Sequence, residues 1–446
     1  MIMAGAVLPV QRDYESWGRY PAARPVGVVP VSWSGEPPRL PEGPPLLAYG
    51  LGRSYGDACL NDGGILLETR PMSRFISFDR DSGALSCDAG VSLEEILALA
   101  IPAGWFLPVT PGTKYVTVGG AIANDVHGKN HHRAGNFGHH VRRLELLRSS
   151  GDRVACSPEQ NGELFAATIG GLGLTGLILT ADIQLKRVGN PHIAMERIRY
   201  GRLEEFFPLS RESDEAFEYT VAWIDCLATG RGLGRGLFMR GNHAAPQPFR
   251  RRRERHQLLR VPFQAPSFVL HPLAMRAFNT LYYRQQLRGR ISATVHYDPF
   301  FYPLDIIDRW NLLYGKRGFV QYQCVLPPAV AVDALRELLG RITASHAGSF
   351  LAILKTFGDM PSRGLMSFPR PGATLALDFA FHGQRTLALL SRLDEVVAQA
   401  GGAIYPAKDA RMSPAHFRQF FPRMEAFRRF MDPRFSSSLW RRVTAA

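Results

Sequence analysis

A glycine-rich stretch that leads directly into a dense polar cluster constrains this chain more than any other feature. Between residues 118 and 132, Gly119 and Gly120 are followed by small residues and then by Asn, Asp, Lys and three histidines. Glycine permits close backbone approach and unusual dihedral angles. Backbone N–H groups can then reach phosphate oxygens while polar side chains meet the reactive end of a ligand. The pattern predicts a loop that wraps a large, planar, phosphate-bearing ligand.

A second glycine-rich stretch, residues 49–57, follows an apolar run that predicts a short strand. Gly50, Gly52 and Gly56 would expose successive amides in a turn. The Gly-x-x-x-x-Gly-Lys-Ser/Thr pattern is absent, so the stretch predicts a phosphate cradle of another type. A plain surface loop would also explain one such stretch, but two of them favour a ligand site.

Residues 171–176 also fit a known glycine pattern, Gly-x-Gly-x-x-Gly, and Glu196 lies 20 residues beyond it. In a dinucleotide-binding fingerprint these glycines open a helix. Here residues 177–185 are apolar and then alternating, which predicts a strand. We therefore expect no nicotinamide dinucleotide site at this position.

These segments resemble the flavin-binding half of the vanillyl-alcohol-oxidase-type FAD superfamily and, within it, the family that oxidises polyprenyl-phosphoryl ribose. The His-Gly-Lys-Asn-His-His run at 127–132 is the most specific part. The resemblance implies an α+β fold in which a substrate-binding domain caps a FAD-binding domain. It rests on 52–57, 111–113, 119–132, 170–185, 221–225, 301–305, 318–323, 377–379 and 405–411, and so covers roughly residues 10 to 440.

The resemblance also implies which residues hold the FAD. We expect the FAD to be non-covalent, because superfamily members with a histidyl link carry histidine where this chain has Arg53, and no cysteine lies in 119–132. The implied cofactor-binding residues are Gly50, Gly52, Arg53, Ser54, Tyr55, Gly56, Asp57, Gly112, Thr117, Val118, Gly119, Gly120, Asn124, Asp125, Val126, His127, Ile178 and Tyr405.

Three residues are candidates for the chemistry. Lys408, in the run Ala-Lys-Asp-x-Arg, matches the family's active-site lysine, and a cation there would balance negative charge on a reduced flavin. From the residues alone, a salt bridge to Asp409 or Asp378 is the alternative. Lys129 suits a substrate phosphate or a sugar hydroxyl, and His127 could contact flavin or substrate.

Four positions match the family's substrate pocket, and two positions depart from its pattern. Trp223 belongs to the first group but could equally be a core residue. Ala376 stands where the best-known members have cysteine, and Phe301 stands where they have a tyrosine that faces the substrate. Both changes leave the details of substrate choice open. The pocket positions are Trp223, Gln323, Lys355 and Phe357; the histidines His131, His132, His139 and His140 have no assigned role.

The hydrophobic pattern predicts strands at 46–48, 65–68, 85–88, 144–148 and 375–381, and helices at 93–100, 330–344 and 385–400. With the resemblance, it predicts a FAD-binding domain over 1–190 and a cap domain over 191–404. The segment 405–446 should return to the first domain.

Composition limits the remaining possibilities. The chain of 446 residues has no run of 18 apolar residues and begins without the basic region of a signal peptide. Its five cysteines are scattered without a Cys-x-x-Cys pair, so no disulfide framework or metal site is expected. The net charge of +14 has its clearest focus in the arginines at 250–253, which indicate either a solvated loop or contact with an anionic membrane. No nucleic-acid-binding motif accompanies the charge.

The resemblance implies an FAD-dependent oxidoreductase that oxidises the C2 hydroxyl of a polyprenyl-phosphoryl ribose to the 2-keto sugar, the first step of epimerisation to an arabinose donor. An NAD(P)H-dependent short-chain reductase would act on the product. We expect a cytoplasmic, peripherally membrane-associated protein, with a periplasmic position left open. The alternatives are an oxidase of another sugar alcohol, an aldonolactone or a natural-product sugar, and a basic binding protein on an inactive flavin fold.

Overall fold

The computed structural model describes residues 7–10, 13–245, 259–261 and 271–445, so the arginines at 250–253 lie outside the described residues. Within these ranges, the amino-terminal part contains mostly short strands. They are β1 (Gly27–Pro30), β2 (Leu46–Tyr49), β3 (Ile65–Glu68), β4 (Phe75–Phe78), β5 (Ala84–Asp88), β6 (Trp105–Phe106), β7 (Val141–Leu147), β8 (Arg153–Cys156), β9 (Leu177–Gln184) and β10 (Lys186–Arg187).

These strands form a parallel sheet in the order β1-β3-β2, a larger antiparallel sheet in the order β4-β5-β9-β7-β8, and a β6-β10 pair. The four strands predicted here are confirmed. β7 begins at Val141, earlier than its apolar run, because its pairing with β9 extends to Val141 opposite Ile183. β9 follows the glycines at 171–176 directly, which confirms that they open a strand and not a helix.

Eight later strands form one antiparallel sheet, in the order β15-β11-β13-β12-β18-β19-β17-β20. Two short strands, β14 and β16, pair in parallel apart from it. The strands of this part are β11 (Ile193–Tyr200), β12 (Tyr219–Ile224), β13 (Gly236–His243), β14 (Leu259–Arg260), β15 (Arg290–Val295), β16 (Ile307–Asp308), β17 (Phe319–Leu326), β18 (Ala352–Phe357), β19 (Gly372–Ala380) and β20 (Ala403–Ile404).

Helices cover parts of these sheets, and the three predicted ones are confirmed to within a residue or two. α1 starts with a capping box, in which Ser92 and Glu95 satisfy each other's backbone amides. The helices are α1 (Leu93–Ala100), α2 (Val118–Ala123), α3 (His131–Ala134), α4 (Gly162–Thr168), α5 (Leu203–Asp214), α6 (Pro272–Arg284), α7 (Tyr297–Phe301), α8 (Ala331–Ala344), α9 (Gln384–Gln399), α10 (Pro414–Phe420), α11 (Met424–Arg428) and α12 (Ser438–Thr444). No helix in the described ranges has the length and apolar character needed to span a bilayer.

The pleat of the eight-stranded sheet separates a core face from a functional face. On β17, Val320, Tyr322 and Cys324 pack in the hydrophobic core with residues of α8 and α9. Gln321 and Gln323 alternate with them and therefore point to the opposite face. This alternation explains why a fully buried strand carries two glutamines.

The carboxyl-terminal segment packs against the amino-terminal strands. The amide of Leu46, at the start of β2, donates to the carbonyl of Arg434 at 2.8 Å. The amide of Ser149 donates to Asp432 Oδ2 at 2.8 Å. Side chains of α10 and α11 also enter the core of the eight-stranded sheet. The division at residues 190 and 404 stays a prediction.

Candidate active site

A cavity lies where the two glycine-rich stretches meet the functional face of the eight-stranded sheet. Most of the predicted site residues share its wall, although they come from distant parts of the chain. Those that line it are Gly50, Gly52, Arg53, Ser54, Tyr55, Gly112, Thr117, Gly119, Gly120, Asn124, Val126, His127, Lys129, Ile178, Gln323, Lys355, Tyr405 and Lys408.

Six predicted residues lie outside the wall: Gly56, Asp57, Val118, Asp125, Trp223 and Phe357. Asp125 is buried and accepts hydrogen bonds from Asn136, Gly138 and Ser367. It therefore stabilises the 118–132 stretch from the side that faces away from the cavity. Trp223 donates from Nε1 to the carbonyl of Phe350 at 3.1 Å.

The two glycine-rich stretches approach each other too closely for side chains. A Cβ added to Gly50 would lie 2.6 Å from Thr117 Oγ1, and one added to Gly52 would lie 2.2 Å from Tyr49 Oη. Gly52 also has φ of +60°, which favours glycine. Thr117 in turn caps α2 by accepting a hydrogen bond from the amide of Gly120 at 3.1 Å. Close packing thus requires glycine at 50, and both close packing and conformation require it at 52.

The first stretch presents free backbone donors to the cavity. Among the described residues, none accepts a hydrogen bond from the amides of residues 51–53. Buried or semi-buried amides normally have partners, so a turn with several unpaired N–H groups suits an anion. The backbone therefore fits the pyrophosphate of FAD.

Arg53 lines the cavity and stacks on Trp17, with its guanidinium carbon 4.0 Å from the ring centroid. No imidazole stands at this position to form a histidyl link with a flavin. Asp305, a residue that the sequence did not single out, lies in the same wall and accepts from the amide of Lys114 at 2.9 Å. Burial raises the pKa of the Asp305 carboxyl to about 6, against the pull of nearby donors and cations.

Three lysines, Lys129, Lys355 and Lys408, line this cavity, and each is partly accessible from it. Among the described residues, none of their ammonium groups lies within 4.0 Å of a carboxylate. The predicted alternative for Lys408, an ion pair with Asp409 or Asp378, is therefore absent from this part of the chain.

Burial lowers the pKa of all three lysines. The pKa of Lys129 falls to about 8 and that of Lys408 to about 7, while that of Lys355 lies well below its ordinary value. For Lys355, the other two ammonium groups add to the effect of burial. Lys408 also lies over the ring of Tyr55, 3.7 Å from its centroid. Asp378 opposes the shift of Lys408, and an anion bound in the cavity would raise the pKa of all three lysines and favour their charged forms.

A hydrogen-bond network joins His127 to the eight-stranded sheet. Lys355 Nζ lies 2.8 Å from His127 Nδ1 and donates to the carbonyl of Gly128 at 2.8 Å. The side-chain amide of Gln323 lies 3.0 Å from His127 Nε2 and 3.1 Å from Thr374 Oγ1. Burial, with Lys355 next in importance, lowers the pKa of His127 well below its ordinary value. Both pKa shifts favour the neutral forms of Lys355 and His127, and a neutral group at hydrogen-bond distance can accept a proton.

The two positions that depart from the family pattern both line the cavity. Ala376 on β19 pairs with Gln323 on β17 and with Ile353 on β18. Because its side chain is small, it leaves more space on this face of the sheet than a larger residue would. The carbonyl of Phe301 accepts a hydrogen bond from Lys129 Nζ at 3.1 Å. The hydroxyl of the next residue, Tyr302, is buried against Thr110 and lies outside the wall.

Comparisons with known proteins agree with this site. Residues 42–157 match the family model described as FAD binding domain, which spans the free amides at 51–53 and the 118–132 stretch. With the α+β, two-domain fold, this match makes the chain an FAD-dependent oxidoreductase of the vanillyl-alcohol-oxidase type. The chain is also 35% identical over 412 residues to the decaprenylphosphoryl-beta-D-ribose oxidase of Mycolicibacterium smegmatis, a match that covers 89% of each chain. It belongs to that family of oxidases.

Two other relatives show how the similarity is distributed. An uncharacterised protein of Streptomyces coelicolor, from the region 5′ of mprA, is 34% identical and covers 79% of this chain and 100% of its own. Cytokinin dehydrogenase 8 of Oryza sativa subsp. indica is 32% identical but covers only 36% of this chain and 32% of its own. The likeness to the second protein is therefore confined to a part of the chain.

Sequence reasoning missed several residues of the wall, among them Trp17, Thr374 and Asp305. Asp305 lies in the 301–305 run that carried the resemblance, but nothing in that run indicates its position beside Arg53. Thr374 could have been found from strand alternation, because it lies two residues before Ala376 on β19. Trp17 carries no sequence signal, since it reaches the site from a segment without regular structure.

Proposed function

We propose that this oxidase acts on a polyprenyl-phosphoryl ribose and converts its C2 hydroxyl to a ketone. The observation that carries the proposal is the presence of Lys129, Lys355 and Lys408 in one cavity, with none of them at ion-pair distance from a carboxylate of the described residues. A sugar attached to a phosphodiester supplies the missing negative charge, whereas a neutral sugar alcohol or aldonolactone would not. The name of the Mycolicibacterium smegmatis relative points to the same class of substrate.

The residues of the cavity divide the work of the proposed reaction. The amides of residues 51–53 and the 118–132 stretch hold FAD, which when bound accepts a hydride from a carbon that bears a hydroxyl group. Lys408 supplies a cation where negative charge develops. The Lys355–His127 pair receives the hydroxyl proton. Lys129 is the remaining lysine, and we assign it to binding the substrate phosphate.

The proposal extends to partners and location. The keto sugar must be reduced again to yield the arabinose configuration, and an NAD(P)H-dependent short-chain reductase is the class of enzyme that performs this step. We place the protein in the cytoplasm, and we expect it to associate with the membrane surface because the prenyl chain of the substrate resides in a bilayer.

Anaerobic mixing of the FAD-loaded protein with a short-chain prenyl-phosphoryl ribose tests the substrate. We expect loss of the visible flavin absorbance with this compound, and none with its 2-deoxy analogue, which lacks the hydroxyl to be oxidised. The matched comparison is free ribitol, which has the hydroxyls but no phosphate. Bleaching by ribitol but not by the phosphoryl sugar would show that the substrate is wrong while the assignment to the FAD oxidoreductases stands.

A further inference from the structure

Helix α6 exposes an apolar face that no described residue covers. Leu273 and Leu281 on the helix are 69% and 70% exposed, and Leu287, which follows the helix, is 84% exposed; these are the three largest values among the large apolar side chains of the described residues. Leu273, Ala277 and Leu281 follow one another at intervals of four residues and therefore form a stripe along the helix. Such a stripe on a 13-residue helix marks an interaction surface, unlike a single exposed leucine.

The opposite side of α6 fixes the helix against the eight-stranded sheet. Asn279 is buried and donates to Asp225 Oδ1 and to the carbonyl of Ser349, each at 3.2 Å. Tyr282 packs edge-on against Trp223, with ring centroids 4.7 Å apart. The apolar stripe therefore cannot turn inward without breaking buried hydrogen bonds.

One edge of α6 packs against a residue that is next in sequence to the wall of the cavity. Its Phe278 packs against Phe350, with ring centroids 5.1 Å apart. The next residue along the chain, Leu351, lines the cavity, as does Val221, two residues before Trp223 on β12. Whatever binds the outer face of α6 is thus held beside the substrate cavity.

Charge identifies the occupant of this face. Arg276 and Arg284 on α6 and Arg288 just after it are exposed. The sequence contains no Asp or Glu between residues 255 and 297. Aliphatic side chains flanked by arginines suit a bilayer with anionic headgroups, where the leucines enter the acyl boundary and the guanidinium groups remain at the phosphates. A second copy of this chain fits poorly, because a two-fold contact would bring the same arginines face to face.

We infer that α6 is the membrane-docking element of this protein, with Leu273 and Leu281 inserted among anionic lipids. On the proposed function, the helix then places the substrate cavity at the bilayer surface, where a lipid-linked sugar is found. The docking itself requires only the α6 face.

Sedimentation of the FAD-loaded full chain with vesicles tests the inference. We expect binding to mixed phosphatidylcholine–phosphatidylglycerol vesicles and little binding to phosphatidylcholine alone. The double substitution Leu273→Ser and Leu281→Ser should weaken binding to the anionic vesicles by about tenfold or more, since it removes two insertable side chains. The matched control is Val26→Ser with Ile76→Ser, which changes apolar residues that are 59% and 56% exposed elsewhere and should leave binding unchanged.

A second measurement separates insertion from electrostatic attraction alone. An environment-sensitive dye on Leu281→Cys should shift to shorter wavelength on anionic vesicles, whereas the same dye on Ile76→Cys should not. Equal binding by the double variant and the wild type, or an unshifted dye at 281, would overturn the inference. So would a wild-type dimer that the double variant dissociates, because the face would then belong to a second copy.

The proposed function is tested apart from docking, since vesicle binding is measured without substrate. The double variant should reduce its flavin normally with the soluble short-chain substrate. If that substrate fails with every variant while vesicle binding still depends on α6, the substrate proposal is wrong and the docking surface stands.

Discussion

Arg442 of α12 joins the first glycine-rich stretch to the segment that carries Lys408, and its removal should loosen both. Its guanidinium donates to both carboxylate oxygens of Asp57 at 2.8 Å and to Asp409 Oδ2 at 2.8 Å. Both carboxylates are almost completely buried. Burial opposes ionisation of Asp409, but Arg442 and Arg411 outweigh it and hold the pKa of Asp409 below its ordinary value.

The substitution Arg442→Met keeps much of the side-chain volume and leaves two buried carboxylates without this cation. Breaking a buried ion pair in this way costs about 3–5 kcal/mol. With an unfolding entropy of about 2.1 cal/mol/K per residue, a chain of 446 residues should lose roughly 3–5 °C in Tm. FAD should also bind less tightly, because Asp57 and Asp409 keep residues next to the cavity in position.

Scanning calorimetry of the wild type and the variant at several pH values measures this effect. In the wild type, the depressed pKa of Asp409 contributes stability that is present above the unfolded pKa and is lost as the pH falls through the folded pKa. In the variant, the unpaired carboxylates should have raised pKa values, so the difference in Tm should be largest near neutral pH and shrink in acid. The control is Arg441→Met, which loses hydrogen bonds to Asn61 and Asp62 but leaves Asp57 and Asp409 paired. A loss equal to that of the control, or one that grows in acid, would refute the ion-pair reasoning.

Four further predictions concern the cavity and the residues around it. Lys408→Met should retain FAD but slow anaerobic flavin reduction by about 10²–10³; stopped-flow bleaching within a factor of about three of wild type would assign the lysine a structural role. Gly56→Ala should fold poorly, because the new Cβ would lie 1.7 Å from the Asp409 carbonyl oxygen, whereas Gly112→Ala meets no atom within 4 Å and should keep the apoprotein Tm. Substrate affinity should fall as the pH rises through about 8, where Lys129 loses its charge, and Lys129→Met should flatten that profile of KM. Acid precipitation should release all the FAD to the supernatant, and flavin that stays with the denatured chain would contradict a non-covalent site.

The sequence by itself determined the local features of this protein. Gly50, Gly52 and the 118–132 stretch were identified because a glycine-rich turn that exposes amides has a strong local signature. The strand after residues 171–176 was predicted from alternation alone, which excluded a dinucleotide fingerprint. Helices α8 and α9 followed from their amphipathic period, because one face of each must pack on the sheet.

Only the tertiary structure decided how these pieces meet. Asp125 belongs to the same motif as His127, yet it turns inward to Ser367, a partner 242 residues away. Asp57 and Asp409 both accept hydrogen bonds from Arg442, and no spacing in the sequence predicts that contact. The side of the sheet on which Gln323 lies depends on strand pairing, since a slip of one residue would reverse it. Long-range packing and register depend on contacts between distant residues, and a local pattern carries no information about which distant residue will be the partner.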